Sequence, residues 1–304
     1  MIPLLRVMLG ALFAAQAAPA DPLIAENAIA KVSEHVYVIS DRNVGLVPNV
    51  GIIVGAKATL VVDTGLGPRN GETVRRATSG VSRNADLYVV STHFHPEHAL
   101  GESAFPATAK VVRARAQQQD IDEFGLTLAR TFASRSPLVA DLLKDAQFRR
   151  ADILFDREHT IDLGGVRVRL LSLGPTHTRG DTIVWVEGDR ILFAGDVVMN
   201  RTFVAFASPY SSVKAWLADF DQLVPMRPVM VVPSHGPAGD ASLIAEQKTV
   251  MTAIQQRAIE LKRQGKSADE TVQMVQTELP AKFPGWAAPA RVGLIARTAY
   301  TETP

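Results

Sequence analysis

The heptapeptide Thr92-His93-Phe94-His95-Pro96-Glu97-His98 constrains this chain more than any other stretch. Three histidines and a carboxylate fall within six residues, directly after Leu87-Tyr88-Val89-Val90-Ser91, which reads as a buried strand. Imidazole and carboxylate are the ligands that borderline and hard divalent metals take, and a loop at the end of a strand can aim several side chains at one point. A polar surface loop could hold three histidines by chance, but the 304 residues contain only seven. A metal site here requires further ligands from distant parts of the chain, so the rest of the sequence decides between the two readings.

The frame around the cluster reads as short strands and amphipathic helices. Residues 35–40, 49–55 and 58–63 are β-rich runs, a helix is expected around 71–79, and the strand 87–92 delivers the cluster. Residues 114–150 are rich in Ala, Gln, Leu and Arg, with Ile121, Phe124, Leu128 and Phe132 at helical spacing. They read as a helical insertion beside the site, broken at Ser136-Pro137 and resumed over 138–146. Strands return at 159–163, 166–173, 182–186 and 190–194, the last two joined by a Glu187-Gly188-Asp189 hairpin turn. Residues 212–224 carry an apolar helical stripe, 229–232 a buried strand, and the chain is helical beyond Asp240, with a capping box at Ser267–Glu270. Strands followed by a helix occur twice, which suggests two similar halves packed together. The expected organisation is one domain over residues 28–240 and a helical extension over 241–304 packed on it.

Composition sets the outer limits. Apolar residues make up 47% and charged residues 21%, enough for a sizeable core. The formal net charge of +1, without long runs of one sign, gives no footprint for nucleic acid and no basic membrane patch. The absence of cysteine removes disulfides, thiolate ligands and a thiolate nucleophile. Residues 1–17 read as a secretory signal peptide: Arg6, an apolar core over 7–15, and the small-x-small triplet Ala15-Gln16-Ala17, with cleavage after Ala17 or Ala20. No second apolar stretch of ~18 residues follows. The expectation is a periplasmic or secreted protein with no membrane span in its mature form and a small-molecule substrate; its oligomeric state is left open.

Three candidate partners for the cluster each lie just past an expected strand. They are His177 in Gly174-Pro175-Thr176-His177-Thr178-Arg179-Gly180-Asp181, Asp196 in Phe193-Ala194-Gly195-Asp196, and His235 in Pro233-Ser234-His235-Gly236. Glycine or proline beside each lets the backbone turn and aim the side chain out of the sheet edge. Five of the seven histidines thus fall at strand ends, a concentration that chance placement does not explain.

With His93, His95, Glu97, His98, His177, Asp196 and His235 in this order, the chain resembles the metallo-β-lactamase fold superfamily, whose signature is HxHxDH, then a histidine, an aspartate and a last histidine. The resemblance runs from about Val36 to Gly236 and implies an α+β fold, an αββα four-layer sandwich with the site at one edge. It also implies that His93, His95 and His177 hold one metal, that Glu97, His98 and His235 hold a second, and that Asp196 bridges. Asp63, after an early strand, matches the aspartate that supports the histidine loop. Two Zn2+ ions per chain are expected, one is possible, and iron or manganese would accept the same ligands. The implied chemistry is hydrolysis by a metal-activated hydroxide attacking an ester, thioester, lactone or lactam carbonyl, with Glu97 and Asp196 as the catalytic carboxylates.

The sequence departs from the signature at Glu97, where Asp is usual. The extra methylene adds ~1.5 Å of reach. Glu97 then either ligates with the loop adjusted, acts as a base beside the metal, or weakens the second site. Asp196 stands where dedicated zinc β-lactamases usually have cysteine or serine, so a general exported hydrolase ranks ahead of a periplasmic β-lactamase. A mononuclear iron enzyme similar to the persulfide dioxygenases, and a metal-binding protein without catalysis, are further readings. Arg179, Asn200, Arg201 and Tyr210, just past strand ends, are candidate substrate-binding residues.

Overall fold

The computed structural model describes residues 20–304; the expected signal peptide at 1–17 lies outside the described residues. Among the described residues, twelve strands form two mixed sheets. The first contains β1 (Ile29–Lys31), β2 (Val36–Ile39), β3 (Val50–Val54), β4 (Ala58–Val62), β5 (Asp86–Val90), β6 (Lys110–Ala114) and β7 (Ile153–Phe155), in that spatial order. Its first four strands are antiparallel neighbours; β4 through β7 run parallel. The second sheet contains β8 (Glu158–Asp162), β9 (Arg167–Leu173), β10 (Asp181–Val186), β11 (Ile191–Gly195) and β12 (Met230–Pro233), antiparallel except for the parallel β11–β12 pair.

The period of two along these strands builds the layers. Ala58, Leu60 and Val62 of β4 face the space between the sheets, where they join Val184 and Val186 of β10. Val61 of β4 faces the other way, into a layer shared with Val74 and Ala77 of α1 (Gly67–Val81). Ile183 and Trp185 of β10 likewise face outward. Both faces of these strands are buried, which is why they read as continuous apolar runs rather than alternating ones. Gly51 of β3 marks a close approach between the sheets: a Cβ there would stand 2.5 Å from the Phe193 ring.

Helices complete the outer layers. Between α1 and α6 lie the single turn α2 (Pro96–Ala99) and three helices of the insertion: α3 (Arg115–Asp120), α4 (Leu126–Ala133) and α5 (Pro137–Leu142). A π-helical turn, Ile121–Gly125, joins α3 to α4. Over the second sheet lie α6 (Val213–Leu223), α7 (Ser242–Arg263), α8 (Ala268–Lys282) and α9 (Val292–Glu302). Trp216 and Phe220 of α6, Ile254 of α7, Val275 of α8 and Ile295 of α9 share one core with the outward face of β10. The order helix, sheet, sheet, helix is the four-layer sandwich that the resemblance implied. Ser212 caps α6 through Ala215 N at 3.1 Å, a contact worth ~1 kcal/mol. The capping box at Ser267 and Glu270 starts α8.

Several boundaries differ from the sequence reading. The first helix starts at Gly67, because Pro68 suits its opening turn. The insertion is shorter than 114–150: Ala114 still belongs to β6, and after α5 an extended stretch leads into β7. Both strands escape a hydropathy reading, β6 because Lys110 and Arg113 leave it only the two valines Val111 and Val112 as an apolar run. That arginine is buried, with its charge met by Glu102 at 2.7 Å. No described helix is long and apolar enough to cross a membrane.

Candidate metal centre

The C-terminal ends of β4, β5, β11 and β12 meet at one edge of the sandwich, joined there by the loop between β9 and β10. That edge brings the sequence-predicted ligands together. One ligand atom each from His93, His95 and His177 forms a group within 4.8 Å, and Glu97, His98 and His235 form a second such group. Asp196 also groups with His93 and His98. Its Oδ2 stands 3.4 Å from His177 Nε2 and its Oδ1 3.9 Å from His235 Nε2, so the carboxylate lies between the two sets. Glu97 reaches the His98–His235 pair although it is longer than the usual aspartate.

Hydrogen bonds from distant elements set which ring nitrogen each histidine presents. His177 Nδ1 donates to the Ala205 carbonyl at 2.7 Å and His235 Nδ1 to the Val47 carbonyl at 2.9 Å. A carbonyl only accepts, so both Nδ1 atoms carry a proton and Nε2 is the nitrogen each ring turns to the site. His98 Nδ1 donates to Asp63 Oδ2 at 3.0 Å. Thr92 Oγ1 donates to the same oxygen at 3.0 Å and accepts from His93 Nδ1 at 3.2 Å. His95 is the exception: its Nδ1 faces His177 Nε2 at 3.4 Å, so it presents Nδ1. Such partners behind the ligands fix tautomer and ring direction before any ion arrives.

Asp63 is central to this support. Its backbone is left-handed (φ +60°), and its side chain also accepts the Thr92 amide at 2.7 Å. Two residues that the sequence reading did not single out hold the His235 loop. Asn49 donates to the carbonyls of Pro233 and Gly236 at 2.8 and 2.7 Å, and Asp41 accepts the Gly236 amide at 2.7 Å. The only local signal was the polar asparagine opening an apolar strand. The His177 loop is clasped by buried Asp181, which accepts from Thr176 Oγ1, Thr178 N and Thr178 Oγ1.

Electrostatics prepare the donors. Burial, reinforced by neighbouring histidines, lowers the pKa of His93 and His95 well below normal, which keeps them neutral. His98 differs: burial disfavours its charge, but the Asp63 carboxylate and its hydrogen bond outweigh this and raise its pKa to about 9, so a metal at Nε2 would have to displace a proton there. Burial raises the pKa of Glu97, against the pull of His98 and His235. Burial opposes the charge of Asp196 too, yet the surrounding histidines hold its carboxyl well below the usual range. Four candidate ligand atoms, His93 Nε2, His98 Nε2, Glu97 Oε2 and Asp196 Oδ1, are buried with no hydrogen-bond partner among the described residues. Nitrogen and oxygen donors converging without partners fit a divalent cation and little else.

The family model of the metallo-beta-lactamase superfamily matches residues 44–235, more than half of the chain. The chain belongs to the metallo-beta-lactamase superfamily. Among curated relatives, the acyl-coenzyme A thioesterase MBLAC2 of Homo sapiens is 26% identical over 191 residues, covering 58% of this chain and 67% of that protein. The linear primary-alkylsulfatase of a Pseudomonas species is 21% identical over 270 residues, 77% of this chain and 51% of that one. Among solved structures, the sec-alkylsulfatase Pisa1 from Pseudomonas sp. superposes with a TM-score of 0.67 at 16% identity, over 90% of this chain and 49% of that chain. A metallo-beta-lactamase from Pontibacter korlensis superposes with a TM-score of 0.56 at 21% identity, over 74% and 98%. At these identities the structural matches show the fold alone. The chain spans about half the length of the alkylsulfatases it matches.

In this superfamily member a cavity of about 780 Å³ opens in front of His95, Glu97, His177, Asp196 and His235. None of the four expected substrate residues lines it. Arg179 is drawn away into ion pairs with Asp120 (3.0 Å) and Glu123, and it stacks over Tyr210 at 4.0 Å. Tyr210 Oη itself donates to Glu123 at 3.3 Å. Asn200 donates to the Pro237 carbonyl at 2.9 Å, and Arg201 faces a separate groove with Lys282 and Trp286. These residues lie near the site in sequence but are turned aside by partners that the linear pattern does not display. Arg135 and Arg291 line the cavity instead.

Proposed function

We propose that this protein is a zinc-dependent hydrolase of carbonyl esters, with thioesters the first class to test. The coarser class, a metal-dependent hydrolase of small molecules, follows from the superfamily and from the thioesterase and alkylsulfatase among its relatives. The observation that carries the proposal is the set of four buried, unpartnered ligand atoms. Each would cost ~1–3 kcal/mol if left unpaired, and divalent metal satisfies them together. All-nitrogen and mixed nitrogen–oxygen donor groups suit zinc, while iron and manganese take the same ligand types.

A divalent metal in such a site polarises a carbonyl and lowers the pKa of water from 15.7 to ~7. The protein's own residues supply the rest. Neutral His93 and His95 offer fixed lone pairs beside His177, and ionised Asp196 places negative charge between the two groups. Burial leaves the Glu97 carboxyl more basic than an exposed glutamate, so with Oε2 turned to the metal the other carboxylate oxygen would be the one to take up a proton and pass it to the leaving group. The hydrolysis adds water across the acyl bond and releases an acid and an alcohol or thiol.

The test is metal analysis of the purified protein with a panel of a thioester, a simple ester, a lactone and nitrocefin. Chelation is expected to abolish turnover and zinc to restore it; turnover that survives chelation refutes the proposal. Sulfate-ester hydrolysis is a second reading, favoured by the linear primary-alkylsulfatase among the curated relatives, 21% identical over 77% of this chain. Release of dodecanol from dodecyl sulfate would select it. The proposal includes export, resting on the composition of residues 1–17, and sequencing of the mature N-terminus should begin at Ala18 or Asp21.

A further inference from the structure

We infer that the substrate is an amphiphilic anion, its charged group held by Arg135 and Arg291 and its apolar part by an annex behind Leu128. This inference rests on the hydrolase reading of the same site. A cavity of about 780 Å³ is in the range of small-molecule sites. Its acidic lining is already engaged: Glu97 and Asp196 belong to the ligand groups, and Asp41 holds the Gly236 amide. Its two arginines, among the described residues, have no carboxylate partner. Arg135, just beyond α4, lies over the Phe132 ring, its guanidinium carbon 3.6 Å from the centroid. Phe132 in turn stands 6.2 Å, ring to ring, from His95. A fixed cation therefore sits one aromatic ring away from a metal-ligand histidine.

Arg291 ends the turn Pro289–Arg291 and gives one hydrogen bond, to the Phe203 carbonyl at 3.0 Å. A guanidinium has five N–H groups, so most of its donors remain available. Among the described residues neither arginine is joined to a carboxylate, whereas Arg113 and Arg179 are. Planar cations presented this way match carboxylate and phosphate oxygens, often bidentately. The two arginines come from parts of the chain far apart, the insertion and the turn before the last helix, yet line one cavity.

The apolar half of the argument is independent. Leu128 and Ala207 line both the main cavity and an annex of about 180 Å³ walled by Phe94 and Phe124. The annex has room for a short alkyl segment. A small hydrophilic anion would leave it wet, and a neutral ester would displace water from the arginines without replacing its hydrogen bonds. An acyl ester carrying a carboxylate or phosphate at its far end satisfies metal, cations and annex at once.

The test compares 4-nitrophenyl pentanoate with mono-4-nitrophenyl glutarate, which differ in a terminal carboxylate, on zinc-loaded full-length protein. The expected kcat/KM favours the anionic ester by about tenfold or more. In Arg135→Gln and Arg291→Gln that preference should fall about tenfold, mainly through KM. A parent preference for the neutral ester, or a preference unchanged in both variants, overturns the inference. Calorimetric binding of decanoate and decanol supplies a readout apart from turnover, since any contact with zinc is common to parent and variants. Decanoate should lose about tenfold more affinity than decanol in each variant, and equal losses overturn the inference. If neither ester is cleaved but decanoate binding keeps its arginine dependence, the hydrolase reading fails and the anion site stands. Dodecyl sulfate turnover as efficient as that of the glutarate ester would move the anion to the metal ligands and overturn the arginine assignment.

Discussion

Replacing Asp63 by asparagine tests how the second ligand group is organised. Asp63 is buried and accepts from Thr92 N at 2.7 Å, Thr92 Oγ1 at 3.0 Å and His98 Nδ1 at 3.0 Å. Asparagine fills the same volume, and its one oxygen can keep the Thr92 amide. Its NH2 then replaces the oxygen that faced His98 and can only donate. His98 Nδ1 must become an acceptor, so the ring proton moves to Nε2, the atom that points into the site unpartnered. A protonated Nε2 cannot ligate. Loss of such a supporting partner typically weakens metal binding 10–100-fold, which is ~1.4–2.7 kcal/mol. The first group should be weakened less, because only His93 is linked to Asp63, indirectly through Thr92 Oγ1, while His177 is held by the Ala205 carbonyl. Titration of metal-free protein with zinc against a competing chelator should show one tight ion and one weakened by 10–100-fold in Asp63→Asn. Asp63→Ala serves as a folding control: it strips the Thr92 amide of its acceptor as well and should cost ~3–5 kcal/mol in urea unfolding. If the asparagine variant binds its second zinc within threefold of the parent, the tautomer argument is wrong.

Three further outcomes follow from particular contacts. Glu97→Asp shortens the side chain by ~1.5 Å, away from the His98–His235 pair it now reaches, so second-site zinc affinity should fall about tenfold; unchanged stoichiometry and rate would mean the loop absorbs the difference. Glu102→Ala leaves the buried Arg113 guanidinium without its carboxylate and Ser91 Oγ without its 2.7 Å acceptor, for a loss of ~3–5 kcal/mol by urea denaturation, whereas a loss under 1 kcal/mol would show that water rescues the arginine. Asp219, which accepts the Gly174 amide at 3.0 Å, has its pKa pushed up by burial to about 7. Its folded pKa lies above its unfolded one, so the folded state holds the extra proton between pH ~4 and ~7. Stability from this group is greatest at low pH and falls by up to ~1.4 kcal/mol per unit as pH rises to 7. Between pH 5 and 8 the parent should therefore lose ~2–3 kcal/mol that Asp219→Asn retains, measured as urea midpoints; parallel pH profiles would place the Asp219 pKa elsewhere.

What was legible in the sequence was local. Alternation and apolar runs located most strands, because a strand's faces repeat every two residues whatever lies opposite. The candidate metal ligands were legible because their chemistry is carried by residue type, and five of seven histidines at strand ends need no partner to be counted. Strand β6 was not legible, since Arg113, its next-to-last residue, is charged by type and is buried only because Glu102 meets its charge. Close approaches were equally hidden. Gly101 reads as an ordinary turn glycine, yet a Cβ there would stand 2.1 Å from the Thr64 carbonyl, where the histidine turn packs beside Asp63.

The sequence by itself determined which atoms can bind a metal and which strand ends carry them. The tertiary structure alone decided which nitrogen each ring presents, since the acceptors that set it lie 35, 28 and 188 residues away for His98, His177 and His235. It also decided which arginines face the cavity. Arg179 stands two residues from a ligand and is withdrawn by Asp120 and Glu123, while Arg135 and Arg291 stand far from any ligand in sequence and line the cavity. A side chain's chemistry is a property of its residue, but its availability depends on which partners the fold brings within hydrogen-bonding distance, and no local pattern encodes that.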